Sequence, residues 1–561
     1  MKDMIKNLLA EAQAYNGLEA IQSLIEDGQS LSAIPMQPLY VASRALDSSN
    51  MSALLPRLTP EQRNVFLDID LWKRDDLDPD RFDYWLEAYH QCEVDEIKQE
   101  FINSSEFYLF LKARFNVWTF DVEDPNYPDH DYYFLTDDSL LLFEYSEDYE
   151  QVHEAKALIR ELYAQKGVEH AYTYLFKLVS DSYSSLEEIE YKEKKERLRD
   201  YGFVDYYDAL EYESPFPNLS MLDGFVRKKE AATGSLDPFH ENQNVSYQAI
   251  APYAEGTNDL AAELNKVEDE KRARFLNFNF IRLINASLAL QDGIKEGGMA
   301  VNRVGHRTRN ILALGHEWVK SQKDWGEQGV FSVFEFTDLY KVGLTLISVE
   351  QRKIKKALRE TGFDNDDKFL GTYWGDFLDE SFLDIPKFYR PYFPSEELKT
   401  LESWQGWSTH IETFSQMAPF AAKFGETFKA LVKAGQLVDD YYLNYKVDEI
   451  DLEAILLTSF ANHRLGHFKA GMPQRMGLTI DEFKSFVHPF SNAEGEIALS
   501  DELLKAVKEF LENFGMDQIH GMDSYLAYLV QNHLDGYDYN GLAFEEFKHV
   551  GGPILLNRQT Q

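Results

Sequence analysis

The chain has almost no cysteine and no long apolar segment. Its 561 residues contain one cysteine, Cys92. A single thiol allows neither an intramolecular disulfide nor a cluster of thiolate metal ligands, which is typical of proteins from reducing compartments. No run of about 18 apolar residues occurs, and the opening stretch, MKDMIKNLLAEAQAYNG, lacks the apolar core of a signal peptide. We therefore expect a cytoplasmic protein without membrane insertion.

Basic residues are scarce as well. The chain has 56 Lys and Arg against 96 Asp and Glu, a formal net charge of −40. Because nucleic acids and anionic lipids are bound through clustered Lys and Arg, this balance argues against both as general partners. The acidic surface has two interpretations, a solvated face or a docking face for a basic protein partner. Hydrophobic residues make up 44 % of the chain, enough for packed cores in several domains.

The short signatures of common enzymes are missing. The chain has no G-x-x-x-x-G-K-[ST], G-x-G-x-x-G, G-x-S-x-G or H-E-x-x-H. The stretch GGMAVNRVGHRT (297–308) has glycines too far apart for a P-loop and no P-loop lysine. These absences argue against catalysis without excluding it, because glycosidases and many other enzymes carry no short signature. We expect no cofactor and no bound metal.

The stretch DLDPDRFDYWLE (76–87) has the carboxylate spacing of a calcium-binding EF-hand loop. Asp76, Asp78, Asp80 and Glu87 stand at positions 1, 3, 5 and 12. Position 6 of such a loop is glycine, however, because the sharp turn needs a conformation that glycine adopts cheaply. Arg81 stands there instead, which argues against a calcium loop.

A helix start accounts for more of the same residues. Asp78 is a good N-cap, and Pro79 suits the first helical position, where its missing N–H is no loss. Phe82, Trp85, Leu86 and Tyr89 then recur at helical spacing and form one apolar stripe. We predict a helix beginning at Pro79.

Helices dominate the rest of the chain too. Capping boxes are predicted at three pairs of residues: Thr59 and Gln62, Ser185 and Glu188, Thr479 and Glu482. Helix starts about 20 residues apart predict stacked helical hairpins, an irregular solenoid, in the N-terminal part. Residues 132–135 and 140–145 flank a turn and predict a β-hairpin. The expected class is mainly α, with a helical C-terminal half and at most one small β-hairpin.

Composition divides the chain into three parts. Residues 1–212 read as an acidic helical-repeat domain. Residues 213–258 are rich in Pro, Gly, Ser and Asn, which predicts a linker or an ordered crossing segment. Residues 259–561 read as a helical C-terminal domain. Its first 34 residues, 259–292, predict one long helix ended by Gly293.

Two segments carry a family resemblance. LLPRLTPEQRNVFLDIDLWKRDDLDPDRFDYWLEAY (54–89) contains a Thr-Pro-Glu-Gln helix start, an LD-x-D-x-W stretch and a Leu-Asp-Pro helix start. LRDYGFVDYYDALEYESPF (198–216) contains a leucine-x-x-x-Gly-Phe element followed by Ala-Leu. Both resemble a large bacterial family known only as a domain of unknown function. FTDLYKVGLTLISVEQRKIKKAL (336–358) and VGGPILL (550–556) resemble its C-terminal half.

This resemblance implies a cytoplasmic helical protein and brings no catalytic residues. The first hundred residues are also similar to the superhelical cytosolic domain of bacterial magnesium transporters. Because no membrane-spanning segment is expected here, that similarity implies a fold analogy and nothing about transport.

Two cationic clusters stand out against the acidic background and give the candidate site. If they converged, their guanidinium groups would suit a phosphate or carboxylate. The alternative is intramolecular pairing of these cations with the acidic N-terminal half. The histidines at 463 and 467 could also share a helix face as a zinc pair, but the surrounding cations disfavour a dication. The candidate anion-binding residues are Arg303, His306, Arg307, Arg309, His463, Arg464, His467, Lys469 and Arg475.

Two functions follow as expectations. The first is a protein-interaction scaffold or regulator, because concave surfaces of stacked helices commonly bind protein partners. The alternative is a binding protein or enzyme for an anionic small molecule that uses the two cationic clusters.

Overall fold

The computed structural model describes residues 21, 30–34, 36–180, 182–231, 258–291, 293–364, 367–389, 394–438, 441–468, 477–491, 497, 500–536, 538–539, 541–549 and 553–558. Helices dominate these residues, which confirms the mainly α class. None of the helices found there is long and apolar enough to cross a membrane.

The α-helices are α1 Met36–Ser43, α2 Ser48–Leu54, α3 Pro60–Asp70, α4 Pro79–Gln91, α5 Asp95–Ile102, α6 Ser105–Arg114, α7 Val152–Lys166, α8 Val168–Ser180, α9 Tyr183–Asp200, α10 Tyr206–Tyr212, α11 Leu219–Ala231, α12 Asn258–Leu264, α13 Glu270–Leu290, α14 Gly298–Gln322, α15 Phe336–Thr361, α16 Gly371–Ser381, α17 Leu401–Lys433, α18 Leu452–Arg464, α19 Ile480–Val487, α20 Asp501–Asn513 and α21 Met522–Leu534. Short 3₁₀ helices lie at Leu31–Ala33, Leu55–Arg57, Val330–Ser332, Lys368–Leu370, Val447–Glu449 and Phe544–Lys548.

The strands form three small sheets, so the expectation of at most one hairpin was wrong. The strands are β1 Trp72–Lys73, β2 Asp76–Leu77, β3 Asn116–Thr119, β4 Tyr133–Leu135, β5 Leu141–Glu144, β6 Lys387–Phe388 and β7 Glu396–Glu397. The predicted hairpin is present as β4 and β5, and β3 adds antiparallel to the other edge of β5. β1–β2 and β6–β7 are two-residue pairs that are too short to produce a readable alternation of apolar and polar residues.

Local capping chemistry sets several helix starts as predicted. The Asp78 side chain accepts hydrogen bonds from the backbone N–H groups of Asp80 and Arg81, both at 3.2 Å, and α4 begins at Pro79. Complete capping boxes form at Thr59 with Gln62 and at Thr479 with Glu482. Residues 79–91 are therefore helical, which is incompatible with the geometry of a calcium loop over 76–87.

Two helix predictions were wrong. Ser185 is not a cap, because α9 already begins at Tyr183 and Ser185 lies inside it. The single helix over 259–292 is divided into α12 and α13, because Asp269 caps a new start by accepting from the N–H of Lys271 at 2.9 Å.

The chain forms two compact units that are each assembled from three segments. The first unit comprises Met1–Ser214, Arg227–Arg309 and Asp324–Lys341. The second comprises Pro215–Val226, Asn310–Lys323 and Val342–Gln561. The predicted division into domains 1–212, 213–258 and 259–561 is not tested by these two units and stays a prediction. Within 213–258, the helix α11 replaces part of the expected linker, and residues 232–257 lie outside the described residues.

The first unit is built around the buried face of α4. Phe82 stacks on Phe110 at a centroid distance of 4.2 Å, and Tyr89 stacks on Phe101 at 4.0 Å. Trp85 is also fully buried. Helix α4 contacts α2, α5, α6 and α7, while α9 returns to pack against α3 and α6. The helices thus surround α4 in addition to pairing with their neighbours along the chain.

The core of the second unit gathers helices from the C-terminal half. Helix α18 contacts α17, α19, α20 and α21. Trp374 and Trp407 are fully buried, and the indole of Trp407 donates to the Ser381 hydroxyl at 3.0 Å. Near the C-terminus, Leu478 pairs with Leu556, the last residue of VGGPILL, in an isolated parallel bridge inside this unit.

Candidate functional site

The first unit contains a buried ionic cluster formed by α3, α6 and α9. Arg197 donates to both carboxylate oxygens of Asp68, at 2.9 and 2.7 Å, and also to Glu190 at 2.6 Å and Glu106 at 3.3 Å. All three carboxyl side chains are buried. Burial, helped by the neighbouring Glu190 and Asp68 carboxylates, raises the pKa of Glu106 to about 8.

The three carboxyl groups lie close enough together to hold a metal ion. The guanidinium of Arg197, however, already supplies the positive charge at their centre, and buried carboxylates need such a partner to stay ionised. Because Glu106 is largely protonated near neutral pH, the positive charge of Arg197 faces at most two carboxylates and not three. We therefore interpret the cluster as a structural ion network that fixes Asp68 and α9.

A cavity of about 110 Å³ lies beside this network, within the same unit. Asp68 belongs both to the ion network around Arg197 and to the lining of this cavity. Its lining is Asp68, Ile69, Trp72, Arg74, Lys194, Lys195, Leu198, Phe203, Val204, Asp205, Tyr206, Asn285, Leu288, Ala289, Ile294 and Lys295. A volume of this size accommodates a molecule of on the order of ten non-hydrogen atoms. Four cationic side chains, two carboxylates and the Asn285 amide line the cavity together with apolar and aromatic side chains.

Lys194 is the buried cation of this cavity. Its ammonium group donates to the backbone carbonyl of Arg74 at 3.2 Å and lies 4.7 Å from the ring centre of Trp72 and 4.6 Å from that of Tyr191. No carboxylate among the described residues forms an ion pair with it. Burial is the main reason that the pKa of Lys194 is lowered to about 8. Its proton can therefore be lost near physiological pH.

The other three cations have different environments. Lys195 forms an ion pair with Asp208 at 2.9 Å. Lys295 donates to the backbone carbonyl of Trp72 at 2.6 Å. The guanidinium of Arg74 lies 4.5 Å from the ring centre of Tyr206, a cation–π contact.

Two backbone features build the walls. Arg74 lies in the turn between β1 and β2 with φ 63°, one of two non-glycine residues with positive φ in the described chain. Such a conformation costs a side chain about 1–2 kcal/mol. Gly202, with φ 81°, lies so close to α13 that an added Cβ would be 3.1 Å from Ile281. Its carbonyl accepts from the Asn285 side chain at 2.8 Å, which joins the segment after α9 to α13.

The predicted residues 303–309 belong to the first unit but do not line this cavity. Arg303 pairs with Glu296 at 3.1 Å. Arg307 donates to both oxygens of Glu213, at 2.8 and 3.0 Å, and to the Tyr340 hydroxyl. His306 and Arg309 also have partners within the chain. Arg303 thus pairs with a nearby residue of its own segment, and Arg307 pairs with Glu213.

The second predicted cluster belongs to the second unit. Helix α18 ends at Arg464, so the two histidines do not share a helix face. His463 contacts the Asn513 amide at 2.9 Å, and His467 contacts the Asn462 side chain at 2.8 Å and Glu482 at 3.4 Å. Lys469 and Arg475 lie outside the described residues. Since each unit is described by itself, convergence of the two clusters stays a prediction.

The cavity residues were missed because they are scattered along the sequence. Lys194 lies in α9, whose alternating acidic and basic residues predict a solvent-exposed helix face, so its burial was not expected. A usable signal did exist in the family-like segments. The LD-x-D-x-W stretch supplies Asp68 and Trp72, and the leucine-x-x-x-Gly-Phe element supplies Leu198 and Phe203. The two segments that most resemble the family therefore meet at one cavity.

A family model matches the chain over residues 3–545. The chain belongs to the family of unknown function DUF6178. No curated protein and no solved structure matches it, so the similarity to magnesium transporters has no support beyond the sequence pattern. Membership confirms the family resemblance and assigns no activity to the cavity.

Proposed function

We propose that this DUF6178 protein is a cytoplasmic binding protein for a small anionic molecule, a phosphorylated or carboxylated compound held in the cavity of the first unit. The single observation that carries the proposal is the lysine- and arginine-lined cavity in a chain of net charge −40. The sequence also suggested a protein that binds an anionic small molecule, but at residues 303–309 and 463–475. The proposal keeps this ligand class and assigns it to the cavity residues.

The cavity combines the features of small-molecule sites. Its lining is mostly apolar and aromatic, with a few charged groups that would orient a ligand. Lys194 has its pKa perturbed by burial, which is common in functional sites. Arg74 is held in a costly backbone conformation at the same place, and strained residues cluster at ligand sites. A bound anion would neutralise the ammonium group of Lys194, which forms no ion pair in the described part of the chain.

The test is ligand-induced stabilisation of the full chain. Thermal unfolding should be followed with inorganic phosphate and with small phosphorylated and carboxylated compounds at millimolar concentrations, since a ligand specific for the folded state raises the midpoint. Lys194→Met should reduce the shift, because it removes one of the cations that would bind the anion. Lys192→Met is the matched control, because Lys192 lies two residues earlier in α9 and pairs with Glu188 on the exposed surface. No shift with any anion, or equal loss in both variants, would overturn the proposal.

A second candidate function is the protein-interaction scaffold. Helix α8 carries Val168, Tyr172, Phe176 and Val179 at helical spacing. Three of them, Val168, Phe176 and Val179, are exposed, and Tyr172 stacks on Phe176 at 5.6 Å. An exposed apolar stripe of this kind fits the apolar face of a partner helix. The acidic chain favours a partner with basic flanks.

Affinity capture from the native cell with the wild-type chain and with Phe176→Asp tests this second function. A partner lost on the substitution, with unchanged thermal stability, would support it. If the same proteins are retained by the wild type and by Phe176→Asp, the stripe is not a docking surface.

A further inference from the structure

The position of Lys194 allows a reaction in addition to charge recognition. We propose that Lys194 forms an imine with the carbonyl group of a small aldehyde or ketone that also carries a phosphate or carboxylate. This inference rests on the proposed anion-binding function and names the reactive group of its ligand. The anionic group would be recognised by the other cations of the cavity, and the carbonyl by Lys194.

The first argument is the contrast between Lys194 and its neighbour Lys195. Lys195 has an acidic partner, Asp208, at 2.9 Å, and its side chain is 36 % exposed. Lys194 is 5 % exposed, and among the described residues its one hydrogen-bond partner is the backbone carbonyl of Arg74. An amine that is buried without a carboxylate partner loses its proton readily, and the neutral amine is the nucleophile.

The second argument is the surroundings of the amine. The charged groups that act on it are Asp68 from α3, Asp75 from the β1–β2 turn, Asp205 before α10 and Lys295 after α13. The carboxylates favour the ammonium form, whereas Lys295 and burial oppose it, with burial the largest effect. The pKa of about 8 leaves roughly a tenth of the groups neutral at pH 7.

The third argument is that the cavity is lined by further cations. Arg74 and Lys295 line the same cavity and supply positive charge when Lys194 has become a neutral amine. Their binding energy would position the carbonyl next to the amine, the kind of contribution that lowers a bimolecular barrier. A carbonyl compound without an anionic group lacks this positioning and should react slowly.

The atoms balance without a redox partner. The Nζ lone pair attacks the carbonyl carbon, and a C–N bond forms as the π pair moves to oxygen. Proton transfer from nitrogen to oxygen gives a carbinolamine, whose hydroxyl leaves as water with one further proton from the medium. The loss of the remaining N–H proton then gives a neutral imine. Amine and carbonyl are converted to imine and water in total.

The experiment traps this imine in the full wild-type chain. The protein is incubated with glyceraldehyde 3-phosphate and sodium cyanoborohydride, which reduces a C=N bond to a secondary amine, and the modified lysines are mapped by peptide mass spectrometry. Modification of Lys194 at least tenfold faster than that of Lys195 is expected. Glyceraldehyde without the phosphate should modify both lysines slowly and to a similar extent, and excess inorganic phosphate should protect Lys194.

The mapping uses the wild-type chain, so a variant that fails to fold does not compromise it. Lys194→Arg provides the second measurement, because arginine keeps the charge and removes the nucleophile. It should retain the phosphate-dependent rise in unfolding midpoint and lose the fast adduct. If phosphate stabilises the wild type but Lys194 reacts no faster than Lys195, the imine is excluded and anion binding stands. If phosphate neither raises the unfolding midpoint nor protects Lys194, the proposed anion-binding function is wrong, and the imine proposal that rests on it is wrong as well.

Discussion

Arg81 donates from Nε to the carboxylate of Asp70 at 2.9 Å, and that carboxylate is almost fully buried. The same carboxylate accepts from the Trp85 indole at 2.8 Å and from the Tyr40 hydroxyl at 2.8 Å. In the sequence, Arg81 argues against a calcium loop because it stands at the glycine position. In the fold, Arg81 in α4 neutralises the buried carboxylate of Asp70 in α3.

Removing Arg81 should lower the stability of the protein, because Asp70 would remain buried without this ion pair. Arg81→Ala leaves Asp70 buried without its closest cation, so we expect a loss of about 3–5 kcal/mol in the free energy of unfolding. Glu87→Ala in the same helix is the control, with an expected change within about 0.5 kcal/mol. Urea denaturation of both variants measures the difference. Equal effects of the two substitutions would contradict the role assigned to Arg81.

The cap at Asp78 is tested independently of Asp70. Asp78→Ala should cost about 0.5–2 kcal/mol, because two N–H groups lose their acceptor. Asp78→Ser should recover most of this loss, since serine also caps well. The values should be the same with calcium and with chelator, because an N-cap needs no metal. Failure of serine to rescue, or a calcium-dependent loss, would show that the carboxylates act together.

The cluster around Arg197 should make stability depend on pH. The folded-state pKa of Glu106, about 8, is raised above its ordinary value of 4.5. Between these two values the folded chain binds the proton more tightly than the unfolded chain, so the contribution of Glu106 is lost as pH rises. Glu106→Gln keeps the neutral shape and removes this titration.

We therefore expect Glu106→Gln to compare more favourably with the wild type at pH 8.5 than at pH 5. Chemical denaturation at the two pH values measures this difference. A difference between variant and wild type that does not change with pH would contradict the assigned proton.

Anion binding should weaken as Lys194 loses its proton. Because the pKa of Lys194 in the folded chain is about 8, affinity for phosphate should fall between pH 7 and 9. The protonated fraction of Lys194 falls from about nine tenths at pH 7 to about one tenth at pH 9, so binding that needs the ammonium form should weaken by up to about tenfold. Calorimetric titration at several pH values measures it. The same fall in Lys194→Met would assign the pH dependence to another group.

Close packing in the second unit predicts a sharp glycine effect. A Cβ on Gly343 in α15 would lie 2.0 Å from the carbonyl oxygen of Ile311 in α14, so Gly343→Ala should destabilise by about 1–3 kcal/mol or more. Gly375 in α16 is the matched control, because nothing lies within 4 Å of its added Cβ. Gly375→Ala should be neutral or stabilise by up to about 1 kcal/mol, owing to better helix propensity. Both are measured by thermal unfolding.

The sequence by itself determined the mainly α class, the family, and those helix starts in which cap and apolar stripe agree. Thr59 with Gln62, Thr479 with Glu482, and Asp78 before Pro79 all formed as predicted, because a cap acts within three residues and needs no distant partner. The β4–β5 hairpin was predictable for the same reason. The Ser185 cap and the uninterrupted helix over 259–292 were wrong, because helices begin at Tyr183 and at Glu270.

Only the tertiary structure decided the candidate site. Asp68 and Arg197 are 129 residues apart, and Lys295 reaches Trp72 over 223 residues. A charged residue on a helix is by default solvent-exposed, and nothing in the local sequence indicates that Lys194 is buried. Folding places it against Trp72 and Tyr191, where desolvation lowers the pKa of its amine. Burial and charge pairing depend on chain segments far apart in sequence, which short-range spacing does not encode.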